Sequence, residues 1–185
     1  QRLRIHDYDK VYQVPGLYEE VVYDRLKCDS PDRVCSLLAD EIDDTGGPQS
    51  DVRVLDFGAG NGIVGECLAD KFDCDAIVGL DIIPEAKDAA HRDRPHIYDD
   101  YFVMDLSDPS NEDLQTLDNS NFNVLLTVAA LGYGDLPTQV FINAFNLVRK
   151  GGWIAFNIKE TFLDHDDQSG FSRLIRELIW SKYLD

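Results

Sequence analysis

The chain has 185 residues, with 17 lysines and arginines against 35 aspartates and glutamates, a formal charge of −18 at pH 7. That length suits one domain with at most a short appendage, and 44% hydrophobic residues with 10% aromatics can fill a core, which argues against intrinsic disorder. The acidic excess argues against a nucleic-acid or anionic-membrane partner, because no cationic surplus neutralises phosphates, although a local basic patch is compatible with an acidic total.

Residues 1–17 are polar and tyrosine-containing, and Pro15-Gly16 marks a break. From Leu17 to about Ile42 apolar residues recur at helical spacing, interrupted at Ser30-Pro31. Two helices are predicted, the second with Ser30 as N-cap and Pro31 at its first position. A loop over 45–50 leads to Val52–Phe57, a short buried strand. A helix follows over Ile63–Phe72, a second strand over Ala76–Leu80, a helix over Glu85–His91 and a third strand over Tyr101–Met104. The apolar run Phe122–Leu131 fits a fully buried strand. A helix over Gln139–Arg149, a fifth strand over Trp153–Ile158 and a helix over 170–183 complete the pattern, with Trp153 and Trp180 expected in the core. Apolar strands alternating with helices predict a doubly wound α/β fold, its mostly parallel sheet covered by helices on both faces.

The loop Asp56-Phe57-Gly58-Ala59-Gly60-Asn61-Gly62-Ile63-Val64-Gly65 follows the first strand and opens a helix, where an open α/β sheet binds its ligand. Gly60, Gly62 and Gly65 also fit a dinucleotide fingerprint, so an NAD-dependent oxidoreductase is an alternative. Electrostatics weighs against it. A pyrophosphate at this helix N-terminus would lie near Asp56, with no lysine or arginine in the loop to offset the repulsion, whereas Asp56 suits a positive group such as a methionyl ammonium. Asp81 ends the second strand and can accept from both ribose hydroxyls. Ile82 or Ile83 can pack on an adenine face, and Asp105 can accept from an adenine amino group. Each acid alone reads as a solvated loop residue; three acids at successive strand ends converge on one crevice.

Asp56-x-Gly58-x-Gly60-x-Gly62, Asp81, Asp105-Leu106 and the Phe122–Leu131 strand resemble, in order, the motifs of class I S-adenosylmethionine-dependent methyltransferases, and Lys150-Gly151-Gly152-Trp153 resembles the turn before that family's fifth strand. The resemblance covers about residues 50–160. It implies S-adenosylmethionine as cofactor, with S-adenosylhomocysteine as product. It also implies Asp56, Gly58, Ala59, Gly60 and Gly62 near the methionine moiety, Asp81 on the ribose, Asp105 and Leu106 around the adenine, and Thr127 and Val128 near the sulfonium. Residues 1–50 are then an N-terminal helical cap or lid, and 51–185 the cofactor-binding α/β domain. Tyr18-Glu19-Glu20, Pro31 and Ala130–Pro137 resemble more finely the methyltransferase of the Williams–Beuren syndrome region and its relatives, a group with no substrate to carry over. The family adds two strands after the helix at 170–183, and this sequence stops at Asp185. Either that part is absent or the sheet is completed differently.

Methyl transfer needs positioning of an acceptor, and a base only where the acceptor must lose a proton. Tyr133, Asp135, Glu160 and His165 fall in the loops beyond the fourth and fifth strands, and Tyr8, Tyr12 and Tyr18 could fold over as a lid. His165, within Asp164-His165-Asp166-Asp167, reads most simply as a solvated loop histidine, so no catalytic base is assigned. His6, His91, His96 and His165 lack ligand spacing, so no metal is expected. The segment after the fourth strand lacks the Asp/Asn-Pro-Pro-aromatic motif of exocyclic-amine nucleic-acid methyltransferases, which leaves a small-molecule or protein acceptor. A cofactor-binding module without its own turnover is a further alternative. Cys28, Cys35, Cys67 and Cys74 form no CxxC and read as reduced, partly buried thiols. No apolar run reaches the ~20 residues of a membrane helix and no signal peptide precedes the first charges, so a cytoplasmic protein is expected. The chain opens on Gln1 rather than methionine, as a trimmed or partial chain does; the oligomeric state is left open.

Overall fold

The structure, a computed structural model, describes residues 3–47, 50–131, 136–164 and 166–184. Five strands, β1 (Arg53–Phe57), β2 (Ala76–Asp81), β3 (Asp100–Val103), β4 (Val124–Leu131) and β5 (Trp153–Ile158), form one parallel sheet in the order β3-β2-β1-β4-β5. Around it run α1 (Tyr8–Tyr12), α2 (Leu17–Glu19) with a π-helical continuation over Glu20–Arg25, α3 (Ser30–Thr45), α4 (Ile63–Ala69), α5 (Pro84–Asp93), α6 (Asn111–Asp118), α7 (Thr138–Phe145) and α8 (Phe171–Trp180). The doubly wound α/β fold is as expected.

Strand alternation sends neighbouring residues to opposite faces, and both faces are buried. Val54, Val124 and Leu126 pack with Val34, Cys35, Leu38 and Ile42 of α3 and with Val64 and Leu68 of α4. Leu55, Val78, Leu80 and Leu125 pack on the other side with Leu117 of α6 and Val140 and Ala144 of α7. Each fully buried aliphatic side chain contributes roughly 1.5–3 kcal/mol, so the two-sided burial holds the sheet.

Several elements differ from expectation. Helix α3 buries Cys35 and Ile42 completely or nearly so, at 0% and 1% exposure, within the sheet core. Tyr8, Tyr12 and Tyr18, which precede α3, lie at the strand ends. Ser30 is the first residue of α3 rather than its cap; Asp29 precedes it without a side-chain cap bond, and Pro31 sits in the first turn as predicted. Two helices were not anticipated. The short α1 lacks a repeating pattern, whereas α6 carries a legible signal, a capping box in which the Ser110 hydroxyl accepts from the Asp113 N–H at 3.1 Å and the Asp113 carboxylate accepts from the Ser110 N–H at 3.0 Å. Trp180 is 83% exposed rather than in the core, because α8 is anchored at its start, where Phe171 packs with Phe141 and Leu131, and its far end leaves that cluster. All four cysteines are free, Cys35 buried and the others half-buried. Among the described residues no helix is long and apolar enough to cross a membrane.

Candidate active site

A cavity of about 360 Å³ opens at the carboxyl ends of β1 to β4, within the roughly 300–1,000 Å³ of small-molecule pockets. It lies where the chain order reverses between β1 and β4, the place an open α/β sheet offers a ligand. Of the residues expected at the site, Gly58, Asp81, Ile82, Asp105, Leu106 and Val128 line this cavity. Asp56, Ala59, Gly60, Gly62 and Thr127 do not. No lysine, arginine or histidine lines it among the described residues, so an entering phosphate would meet no side-chain counter-charge.

Asp81 is the best-anchored acid. It is 8% exposed, its Oδ2 accepts from the Gly60 N–H at 2.9 Å and its Oδ1 from the Ile83 N–H at 3.0 Å. Burial raises its pKa, and these main-chain donors pull back toward the ionised form. Asp105 Oδ1 accepts from the Ser107 N–H at 2.7 Å, which holds its carboxyl below the ordinary value. Beside it Ile82 is 60% exposed at the cavity, an apolar surface held open to a ligand.

Asp56 occupies a different position from the one its sequence suggests. It is 1% exposed, its Oδ2 accepts from the Tyr98 hydroxyl at 2.7 Å, and its Oδ1 has no partner among the described residues. Burial pushes its pKa up to about 7. Phe57 and Gly58, not Asp56, form the cavity wall, so its carboxylate is not presented directly to a cationic ligand. Thr127 is likewise wholly buried, and its hydroxyl has no partner among the described residues. Strand β4 changes register against β5 between Thr127 and Leu131, and Ala129 takes a left-handed φ of 59° with its N–H donated to Asn157 Oδ1 at 2.6 Å. That bend brings Val128, Ala129 and Ala130 to the cavity.

The glycines answer to specific neighbours. Gly60 has φ +54°, and a Cβ there would stand 2.7 Å from the Tyr12 hydroxyl. A Cβ on Gly65 would meet Ile97 and Tyr98 at 2.8 Å. The third glycine of the dinucleotide-like register therefore exists to admit the Tyr98 ring that also holds Asp56. Above the loop, Tyr12 and Tyr18 have ring centroids 5.0 Å apart and pack with Tyr8 on Ala86, Ala89 and Ile83. All three tyrosines line the cavity. Burial raises the Tyr12 phenol and pushes Tyr18 up to about 12, so both remain protonated donors near neutrality. Leu136 and Pro137, from the finer likeness, also line it, and so do Met104, Ser107 and Val140, which no motif singled out and whose position only folding reveals. Tyr133, Asp135 and His165, with the Gly132–Asp135 part of the finer likeness, lie outside the described residues. Glu160 is exposed and does not line the cavity.

A family model described as a methyltransferase domain matches residues 30–177. The chain belongs to this family. Its sheet and helices are those of the class I S-adenosylmethionine-dependent methyltransferases. A curated relative, the ubiquinone biosynthesis O-methyltransferase of Thiobacillus denitrificans, is 30% identical over 114 residues, covering 62% of this chain and 47% of the relative. The chain thus spans about half the length of that relative. Among solved structures, the N-methyltransferase NodS of Bradyrhizobium japonicum in complex with S-adenosylhomocysteine is similar with TM-score 0.56 and 16% identity, over 82% of this chain and 71% of that one. An amino pentose methyltransferase of Micromonospora echinaspora with bound S-adenosylmethionine gives TM-score 0.52 and 17% identity, over 86% and 58%. At such identities the likeness is one of fold.

Proposed function

We propose that the cavity binds S-adenosylmethionine and that the chain transfers its methyl group to a small-molecule or protein acceptor. The observation that carries this reading is Asp81, a buried acid at the end of β2 whose two oxygens are tied to the glycine loop and to Ile83 while it still faces the cavity. When bound, the cofactor would supply an electrophilic methyl on a sulfonium, open to displacement by an acceptor's lone pair with S-adenosylhomocysteine as the leaving group. Asp81 accepts from the ribose hydroxyls; Ile82, Asp105 and Leu106 receive the adenine. Gly58, Ala59, Gly60 and Gly62 let the loop backbone approach the methionine part, with Asp56 holding that loop from behind through Tyr98. Val128 borders the reacting end, and Thr127 supports it. The absence of cationic lining side chains among the described residues suits a cofactor without phosphates and disfavours a dinucleotide.

Residues 8–25 serve as the lid of the proposed cap, and 51–185 as the cofactor-binding unit. The acidic total of −18 favours an acceptor that is not a nucleic acid. An oxygen acceptor is the first to test, since the curated relative is an O-methyltransferase. Four free thiols suit a reducing compartment such as the cytoplasm.

Calorimetric titration with S-adenosylhomocysteine, with NAD in parallel, tests the cofactor. Micromolar binding of the former alone is expected, followed by methyl transfer in an acceptor screen. Binding of NAD alone, or of neither, overturns the assignment.

A further inference from the structure

We infer that Arg94 is a positioning residue which, through Glu19 and Asn61, latches the N-terminal cap onto the glycine loop and closes the cofactor site. The inference rests on the cavity being that site. Arg94 follows α5, and its side chain is 8% exposed. Its guanidinium lies 2.7 Å from Glu19 of α2 and donates at 2.8 Å to Glu66 of α4 and at 3.2 Å to the Asn61 carbonyl. Asn61, 2% exposed, donates its amide to the same Glu19 oxygen at 3.1 Å. Burial alone would disfavour the charged guanidinium, but the two carboxylates outweigh it and keep it protonated.

Two features separate this cluster from an ordinary ion pair. It grips Asn61, the residue between Gly60 and Gly62, by both main chain and side chain, so the loop's shape depends on it. The cap it secures also carries Tyr12, whose hydroxyl sits over Gly60. Cap position and loop shape are thereby coupled at Asn61, while Asp81 and the Tyr101 hydroxyl hold Gly60 independently of the cap. Glu19 is 37% exposed, so water can replace its contacts when the cap lifts, whereas Arg94 stays seated. A ligand under the cap leaves only when Glu19 lets go of both partners.

Because removing the buried Arg94 threatens the fold, the test is made on Glu19 in the full chain. Glu19→Ala is expected to speed S-adenosylhomocysteine dissociation about tenfold and to speed amide hydrogen exchange across 8–25, with exchange in α3 and β1 unchanged. Glu19→Gln keeps an acceptor for Asn61 and Arg94 and is expected to fall between. Exchange across 8–25 that matches the parent chain overturns the latch, as does faster exchange with an unaltered dissociation rate. A parent chain that binds no S-adenosylhomocysteine refutes the cofactor reading instead, and the exchange of 8–25 still decides whether Glu19 holds the cap.

Discussion

Asp81 carries two loads at once, since its oxygens secure the Gly60 and Ile83 N–H groups and also face the cavity. Asp81→Ala is therefore expected to weaken S-adenosylhomocysteine binding by about 1–3 kcal/mol, the range for losing hydrogen bonds to a charged group. Asp81→Asn, which keeps an acceptor oxygen, should lose less. Calorimetry on folded variants decides, and undiminished affinity in Asp81→Ala would remove the ribose assignment. Asp81 was legible at the cavity because three acids at successive strand ends read together as converging on one crevice, whereas each alone reads as a solvated loop residue. Asp56 was legible as a motif but not as a buried acid, because its hydrogen-bond partner there is Tyr98, 42 residues away in sequence.

At the scale of elements, periodicity located all five strands and most helices, with ends displaced by a few residues. It did not say which amphipathic helix belongs to the sheet and which to the lid. Both present an apolar stripe, and only the partner distinguishes them. Helix α3 joins the core through Ile42, at 1% exposure, while Leu37 on its outer side is 67% exposed. Ile42→Ala is expected to lower unfolding free energy by about 2–5 kcal/mol, and Leu37→Ala to change it by no more than about 0.5 kcal/mol. Denaturant titrations give both values; similar losses for the two would mean α3 is not packed as described. The bend of β4 at Ala129 had no sequence signal, since alanine rarely takes a left-handed φ and here does so against the Asn157 amide.

For the molecule as a whole, stability is tied to pH through Asp56. Its pKa in the folded chain, about 7, stands above the ordinary 3.8. Between those values the folded state binds the proton that the unfolded chain has lost, so the stability linked to this group is fully present below pH 4 and is lost as pH rises through 7. At about 1.4 kcal/mol per pH unit the rise amounts to on the order of 4 kcal/mol. Asp56→Asn, permanently neutral, should therefore gain on the parent chain as pH rises from 5 to 8. Melting curves of the pair at both pH values measure this difference, and a gap independent of pH would show that Asp56 ionises in the fold as it does in the unfolded chain. Comparing the pair cancels the contribution of the −18 total charge.

The sequence by itself determined the fold class, the place of the glycine loop and the acids at successive strand ends, because strand periodicity and turn chemistry act over a few residues. Tertiary structure alone decided which of those residues face the cavity. It seated Tyr98 beneath Gly62 and Gly65, put Tyr12 over Gly60, and joined Glu19, Asn61 and Arg94 in one cluster. Those contacts link residues tens of positions apart. They are set by which elements pack together, and no local pattern encodes that choice.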